Sequence, residues 1–306
     1  MAVQLVTGGA GFIGSHLAEG LLDRGHEVVV VDDLSSGSLA NVPGDAKLHP
    51  VDIVNRELLE KVFETYEFEN VYHLAALVNT NVLTEQPPVD VRISVQGTIN
   101  LAELCIANGV QRLVFASSVG VYGRPNRLPA NEESALKPIY SYSIAKVCAE
   151  QYLDFYARIH GLAYHSLRYS NVYGPRQPIY GEVGVVAIFT ERLKHGDNLT
   201  VFGDGEHVRD FIYIYDAVEA TVRSASVSDN HVLNIASGKG TTVNELVKIY
   251  RTLSGDAFTV EHKAERVGEL GKFFCKIDKT RDTLEWTPEV DMKQGIGKTL
   301  EYYGLI

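Results

Sequence analysis

The ten residues TGGAGFIGSH, 7–16, end an apolar, β-branched run, VQLVTG at 3–8, and open a stretch with helical spacing, SHLAEGLLDRG at 15–25. Within them Gly8, Gly11 and Gly14 recur at every third position. Glycine at a strand-to-helix junction permits a tight turn, close approach of a phosphate to the backbone, and close helix–strand packing. The helix beginning there offers unpaired N–H groups and the positive end of its dipole. Glycines also make ordinary turns, so their meaning depends on the neighbouring segments.

After the helical stretch comes a second apolar run, EVVVVD at 27–32, ending in Asp32 eighteen residues after Gly14. An acid at that strand end accepts hydrogen bonds from the adenosine ribose of a dinucleotide. Asp32 and Asp33 together would repel a 2′-phosphate, and no arginine follows immediately, which favours NAD over NADP. A strand-end Asp capping a turn is credible alone, but not jointly with the glycines. A dinucleotide site is expected.

Strand-like runs continue at KLHPVD (47–52), NVYHLA (70–75), RLVFAS (112–117) and AYHSLRY (163–169), alternating with helical RELLEKVFETY (56–66) and GTINLAELCIANG (97–109). The runs are nearly continuous hydrophobics, as in a sheet covered on both faces. The alternation predicts an α/β, Rossmann-type doubly wound parallel sheet with a smaller C-terminal substrate-binding lobe. The dinucleotide-binding domain is expected over 1–173, with segments near 208–237 returning to it, and the second lobe over 174–306. There the pattern loosens into a helix at 185–195, LTVFGDG, RDFIYIYDAVEA and HVLNIA. TTVNELVKIY opens with Thr242 and Glu245 at capping-box spacing.

A net charge of −11 argues against a nucleic-acid partner, which wants a basic face. No apolar run approaches the ~20 residues that span a bilayer. MAVQLVTGG enters a strand without the basic and long apolar regions of a signal peptide. Cys105, Cys148 and Cys275 lie far apart without metal spacing, and three buried thiols in a reducing cytoplasm are expected, with no metal. An acidic chain that binds an anion must use backbone amides and a few placed arginines.

The heptapeptide YSYSIAK, 140–146, holds two tyrosines and a lysine. From Tyr142 to Arg158 the spacing is helical, so Tyr142 and Lys146, four apart, share a face. Tyr140 is six before the lysine, about 240° around the helix, and Pro138 suggests that it precedes the helix. Tyr142 is therefore the partner. A free phenol titrates near ~10, and an adjacent ammonium favours the phenolate. Such a base can take a hydroxyl proton while hydride leaves the carbon for a nicotinamide.

With this pair in place the chain resembles the extended short-chain dehydrogenase/reductases, specifically their nucleotide-sugar epimerases and dehydratases. The likeness runs through TGGAGFIGSH, VDDLSSG, VDI, HLAA, SSVGVYG, Tyr142–Lys146, RYSNVYGPRQ, GDGEHVRDF and RVGE, in order. It implies that Ser118 hydrogen-bonds the reacting hydroxyl and that Lys146 also holds the nicotinamide ribose. It places Phe12 and Ile13 beside the pyrophosphate, Asp33, Ser36 and Gly37 in the adenosine-phosphate loop, Asp52 and Ile53 beside the adenine, and Leu74, Ala75 and Ala76 along the cofactor channel. Asn171, Arg209 and Arg266 would hold the nucleoside diphosphate. Asp210 and Asp216 are expected to orient loops, Tyr122 to pack in a turn, and His16, His73 and His207 to be structural or solvent-facing.

Similar 4,6-dehydratases carry Asp-Glu after the catalytic Thr, and related uronate decarboxylases a Glu; here Val119 and Gly120 can transfer no proton. The resemblance thus implies NAD-dependent epimerisation of UDP-glucose or UDP-galactose at C4 through a 4-keto intermediate. UDP-glucuronate, UDP-N-acetylhexosamine, a 4-ketoreductase and a non-catalytic NAD sensor are the alternatives. Phe273 matches the family's pocket-wall position, where bulk disfavours N-acetyl sugars. Ser94 stands where the family has Asn. A homodimer through helices at 97–109 and 142–158 is also implied, although those apolar faces could equally pack on the sheet.

Overall fold

The computed structural model describes residues 2–77, 86–179, 184–255, 258–265 and 271–306. The chain divides into two compact units: Met1–Gly123 with Ala135–Tyr169 and Val218–Leu233, and Arg124–Ser134 with Ser170–Ala217 and Asn234–Ile306.

The first unit is built on a sheet of β1 (Val3–Thr7), β2 (Glu27–Val31), β3 (Lys47–His49), β4 (Phe68–His73), β5 (Arg112–Ser118), β6 (Tyr164–Tyr169) and β10 (His231–Ile235), in the order β10-β6-β5-β4-β1-β2-β3. The pairings from β3 through β6 are parallel. Leu5, Val29, Val71 and Leu113 are fully buried, as the apolar runs require of a doubly wound sheet. β3 stops at His49, short of the expected end, because Pro50 offers no N–H to continue the ladder.

The helices are α1 (Phe12–Leu22), α2 (Arg56–Thr65), α3 (Pro87–Asp90), α4 (Gly97–Ala107) and α5 (Ser141–His160), with a π-helical turn, Val91–Gln96, between α3 and α4. α1 starts three residues before its apolar spacing predicted, because Gly11 serves as the cap and Gly14 lies within the first turn. Asn55 caps α2 by accepting from the Leu58 amide at 3.1 Å. Gly161, at φ 71°, ends α5 in the left-handed region.

In the second unit β7 (Asn171–Tyr173) runs parallel to β9 (Val208–Tyr213), which pairs antiparallel with β11 (Gly240–Thr242). β8 (Leu199–Phe202) and β12 (Val260–Lys263) form a separate parallel pair. Around them are α6 (Val185–Lys194), α8 (Val243–Ser254), α9 (Asp278–Leu284) and α10 (Met292–Tyr302), while α7 (Ile214–Ser224) begins where β9 ends. The Thr242–Glu245 capping box forms at α8. No helix among the described residues is long and apolar enough to cross a membrane.

Candidate active site

The strand order reverses at β1, with β2 on one side and β4 on the other, and in open α/β sheets ligands bind beyond the carboxyl ends of the strands at such a point. Gly8, the residue after β1, has φ +72°, and a Cβ on it would lie 2.7 Å from the Ala75 amide nitrogen. A Cβ on Gly14 would lie 2.1 Å from the Gly8 carbonyl oxygen. Both glycines are thus required by close backbone approach. Gly11 caps α1 without a side-chain acceptor, which leaves the first-turn amides around Phe12 and Ile13 for an external anion.

Asp32 accepts from the Ala10 and Leu34 amides, both at 2.9 Å, so it also braces the glycine loop. Burial raises its carboxyl above the ordinary range while the two amides oppose the shift. Asp33 is exposed and turns the loop through the Ser35 amide and hydroxyl; Ser36 is exposed, and Gly37 packs where a Cβ would lie 2.8 Å from that of Ala10. Asp52 holds the Val54 amide, and the Ile53 side chain is buried in the core. Leu74, Ala75 and Ala76 follow β4, with the Leu74 and Ala75 amides bonded to Thr7. A glycine-lined turn, an uncapped helix N-terminus and an acid at the end of β2 fit a dinucleotide.

Three further residues come from β5 and α5. Ser118 ends β5, and its hydroxyl accepts from the Gly120 amide at 3.1 Å. Tyr140 is the extended N-cap of α5 and is exposed, so Tyr142, half-buried on the first turn, is the tyrosine beside Lys146. The Lys146 ammonium lies 5.5 Å from the centroid of the Tyr142 ring and 4.6 Å from that of Phe115. It donates to the Ala116 carbonyl at 2.7 Å, two residues before Ser118. Burial pulls Lys146 down to about 8, against the pull of Asp90 and Glu150. A Cβ on Gly120 would lie 2.6 Å from the Ser143 hydroxyl, so the turn after Ser118 has no room for a side chain there.

In the second unit Asn171 donates to the Asp210 carbonyl at 2.9 Å, and the Arg209 guanidinium donates to the Val208 carbonyl at 2.9 Å. Asp210 is fully buried and receives the amides of Ser237, Gly238 and Cys275 and the Ser237 hydroxyl, which ties β9 to residues 237–238 and to Cys275. Asp216 receives the Glu289 and Val290 amides. Phe273 is buried, its amide bonded to the Val208 carbonyl. Arg266 lies outside the described residues.

The NAD dependent epimerase/dehydratase family matches residues 4–236. The chain belongs to that family. It is 36% identical over 305 residues to the UDP-glucose 4-epimerase of Mycolicibacterium smegmatis, covering 98% of this chain and 97% of that one. The crystal structure of a UDP-glucose 4-epimerase from Thermotoga maritima with UDP-glucose superposes with a TM-score of 0.95 at 41% identity, over 99% of both chains. That of the Thermus thermophilus UDP-glucose 4-epimerase in complex with NAD gives 0.91 at 37%, over 100% of both.

Beneath this epimerase/dehydratase-family site lie groups that the sequence did not single out. Glu150, one helical turn after Lys146, accepts from Arg168 Nε and Nη2, at 3.0 and 2.6 Å, and from the Ser117 hydroxyl at 2.5 Å. Arg168 also donates to the Tyr122 hydroxyl at 3.0 Å. Asp90 is fully buried at the end of α3. The i,i+4 spacing from Lys146 to Glu150 was a local signal; Arg168 and Asp90 had none.

His73 is buried between Thr7 and Thr98, His16 bonds the Phe12 carbonyl, and His207 meets Glu265. No metal-binding cluster occurs among the described residues. One expectation is corrected: Cys105 and Cys148 do not share a fate. Cys105 and Cys275 are buried, but Cys148 is exposed, because it falls four residues after Ile144 on the outward stripe of α5.

Proposed function

We propose that the chain interconverts UDP-glucose and UDP-galactose by epimerisation at C4, with NAD as resident cofactor. The observation that carries the reading is Tyr142 packed beside the buried Lys146, next to the β5 end that presents Ser118, with a side-chain-free turn at Gly120. Bound NAD would accept the C4 hydride and return it. Tyr142 Oη takes the C4 hydroxyl proton and gives it back, Ser118 Oγ hydrogen-bonds that oxygen, and the Lys146 ammonium favours the phenolate. Gly8, Gly11, Phe12, Ile13, Gly14 and Asp32 would hold the dinucleotide, with Asp33, Ser36, Gly37, Asp52, Ile53, Leu74, Ala75 and Ala76 around it. Asn171, Arg209 and Arg266 are proposed for the nucleoside diphosphate, where arginine suits a phosphate by its fixed fork of donors. Phe273 is proposed to disfavour an N-acetyl group. Val119 and Gly120 leave the turn without a proton-transfer side chain, which supports epimerisation over elimination.

Proton NMR with UDP-galactose, and separately with UDP-N-acetylgalactosamine, tests this without added NAD. Conversion of UDP-galactose to UDP-glucose is expected, with the N-acetyl sugar slower. No change in either, even with NAD supplied, would overturn the assignment. A homodimer is also proposed, supported by an exposed apolar stripe on α5: Ile144, Tyr152, Phe155 and Ile159.

A further inference from the structure

We propose that Glu150 and Arg168 are positioning residues for Ser118: their buried ion pair grips both flanks of the turn that carries the Ser118 hydroxyl and sets it against Lys146 on α5. The pair joins α5 to β6 at 2.6 Å, with both side chains 5% exposed. Glu150 Oε1 also accepts the Ser117 hydroxyl at 2.5 Å, on the residue immediately before Ser118. Arg168 Nη1 donates to the Tyr122 hydroxyl at 3.0 Å, at the end of the 3₁₀ turn Val119–Tyr122 that follows Ser118. The same guanidinium lies over the Tyr122 ring, 5.0 Å from its centroid. One planar fork thus serves both sides, with Nε and Nη2 on Glu150 and Nη1 on Tyr122. Ser117 and Arg168 are direct partners in the parallel pairing of β5 with β6, so their side chains rise from one face of the sheet to meet Glu150.

Lys146 lies one helical turn before Glu150 and donates to the Ala116 carbonyl at 2.7 Å. Helix α5 therefore holds β5 at two successive residues, Ala116 through the lysine and Ser117 through the glutamate, directly ahead of Ser118. Beyond Ser118 the Tyr122 link fixes the far end of the turn, whose Gly120 amide donates to the Ser118 hydroxyl at 3.1 Å. Ser117 is 3% exposed and Tyr122 0%, so water is not at hand to replace a lost partner. A buried ion pair brings little net stability over apolar side chains of the same volume. What it does impose is a set of distances and angles that apolar contacts leave loose. The worth of this pair is therefore in the geometry of the Ser118 hydroxyl rather than in folding.

The inference rests on Ser118 acting on the sugar hydroxyl, as the epimerase reading has it, and a second readout keeps the two apart. Glu150→Met with Arg168→Met removes both charges together and leaves no buried ion unpaired, so thermal unfolding is expected to stay near that of the wild type. In that variant kcat on UDP-galactose should fall about 10–10²-fold, the effect of misplacing a reacting group by about 1 Å, while KM and NAD affinity hold. Exchange of the Gly120 amide, followed by NMR in the full chain, should quicken about tenfold or more. A folded double variant with the wild-type kcat overturns the proposal, and so does one whose kcat falls only in step with its thermal stability. Should the double variant not fold, Ser117→Ala with Tyr122→Phe cuts both links to the turn and keeps the ion pair. The same fall in kcat at constant KM then supports the proposal, and an unchanged kcat overturns it. If the wild-type chain turns over no UDP-sugar, the epimerase reading fails and Gly120 exchange alone decides: faster exchange in the variant sustains the positioning role, and unchanged exchange ends it.

Discussion

Replacing Tyr142 by phenylalanine removes one oxygen from a half-buried ring and leaves the Lys146 contact with that ring in place. Turnover is expected to fall by about 10²–10⁴-fold, the range typical of a lost acid–base group, while NAD binding, followed by fluorescence titration, is retained. Loss of both together would point to a cofactor-holding role alone. At Gly120 the expectation is steric. A Glu there must displace the Ser143 hydroxyl, 2.6 Å from the new Cβ, at a cost of about 1–3 kcal/mol for overpacking. Thermal unfolding should show that loss, and mass spectrometry should show no dehydrated product. Phe273→Cys should raise the rate on N-acetylated relative to plain sugar; an unchanged ratio would count against the pocket-wall role.

Helix α5 does two jobs on two faces. Its inner face buries Ala145, Lys146, Ala149, Glu150 and Leu153. Its outer face leaves Ile144 50%, Phe155 42% and Ile159 62% exposed, a contiguous stripe at helical spacing that water solvates poorly. A second copy of the chain is the proposed cover. Ile144→Glu with Phe155→Glu should shift the mass measured by light scattering from dimer to monomer without changing the helical circular dichroism. A monomeric wild type would end that reading. Helix α8 tests a smaller term: Thr242→Ala removes half of a capping box and should cost ~1 kcal/mol in denaturant unfolding.

Across the molecule, burial sets opposite responses to acid in the two units. In the first, His73 is pushed down to about 3 and His165 to about 4, both chiefly by burial. Between those values and the ordinary ~6.5 the unfolded chain binds more protons, so this unit loses stability as pH falls from about 6.5 towards 4. Asp32, raised by burial in the same unit, offsets part of that loss. In the second unit Asp210 is pushed up to about 6 by burial, so its contribution runs the other way: the folded form takes its proton more readily, and stability is gained as pH falls through 6. Hydrogen exchange at pH 7 and pH 5, corrected for intrinsic rates, should show protection falling around β4 and β6 but not around β9. Equal changes in both units would refute this account.

The glycine cradle, the parallel sheet and the choice of Tyr142 over Tyr140 were legible in the sequence, because each rests on local rules. Strand and helix periods, turn glycines and the four-residue spacing on a helix are written in neighbouring residues. The capping box at Thr242 was legible for the same reason. The outward face of Cys148 was not, since an apolar residue on a helix does not reveal which side meets the sheet. Nor did the sequence show that Gly120 is enforced by Ser143, that Arg168 neutralises Glu150, or that Asp90 reaches Ser141 fifty-one residues away. Charge pairing and close approach depend on which surfaces folding brings together, and a buried carboxylate such as Glu150 becomes informative only when the cation that neutralises it, Arg168, is seen beside it.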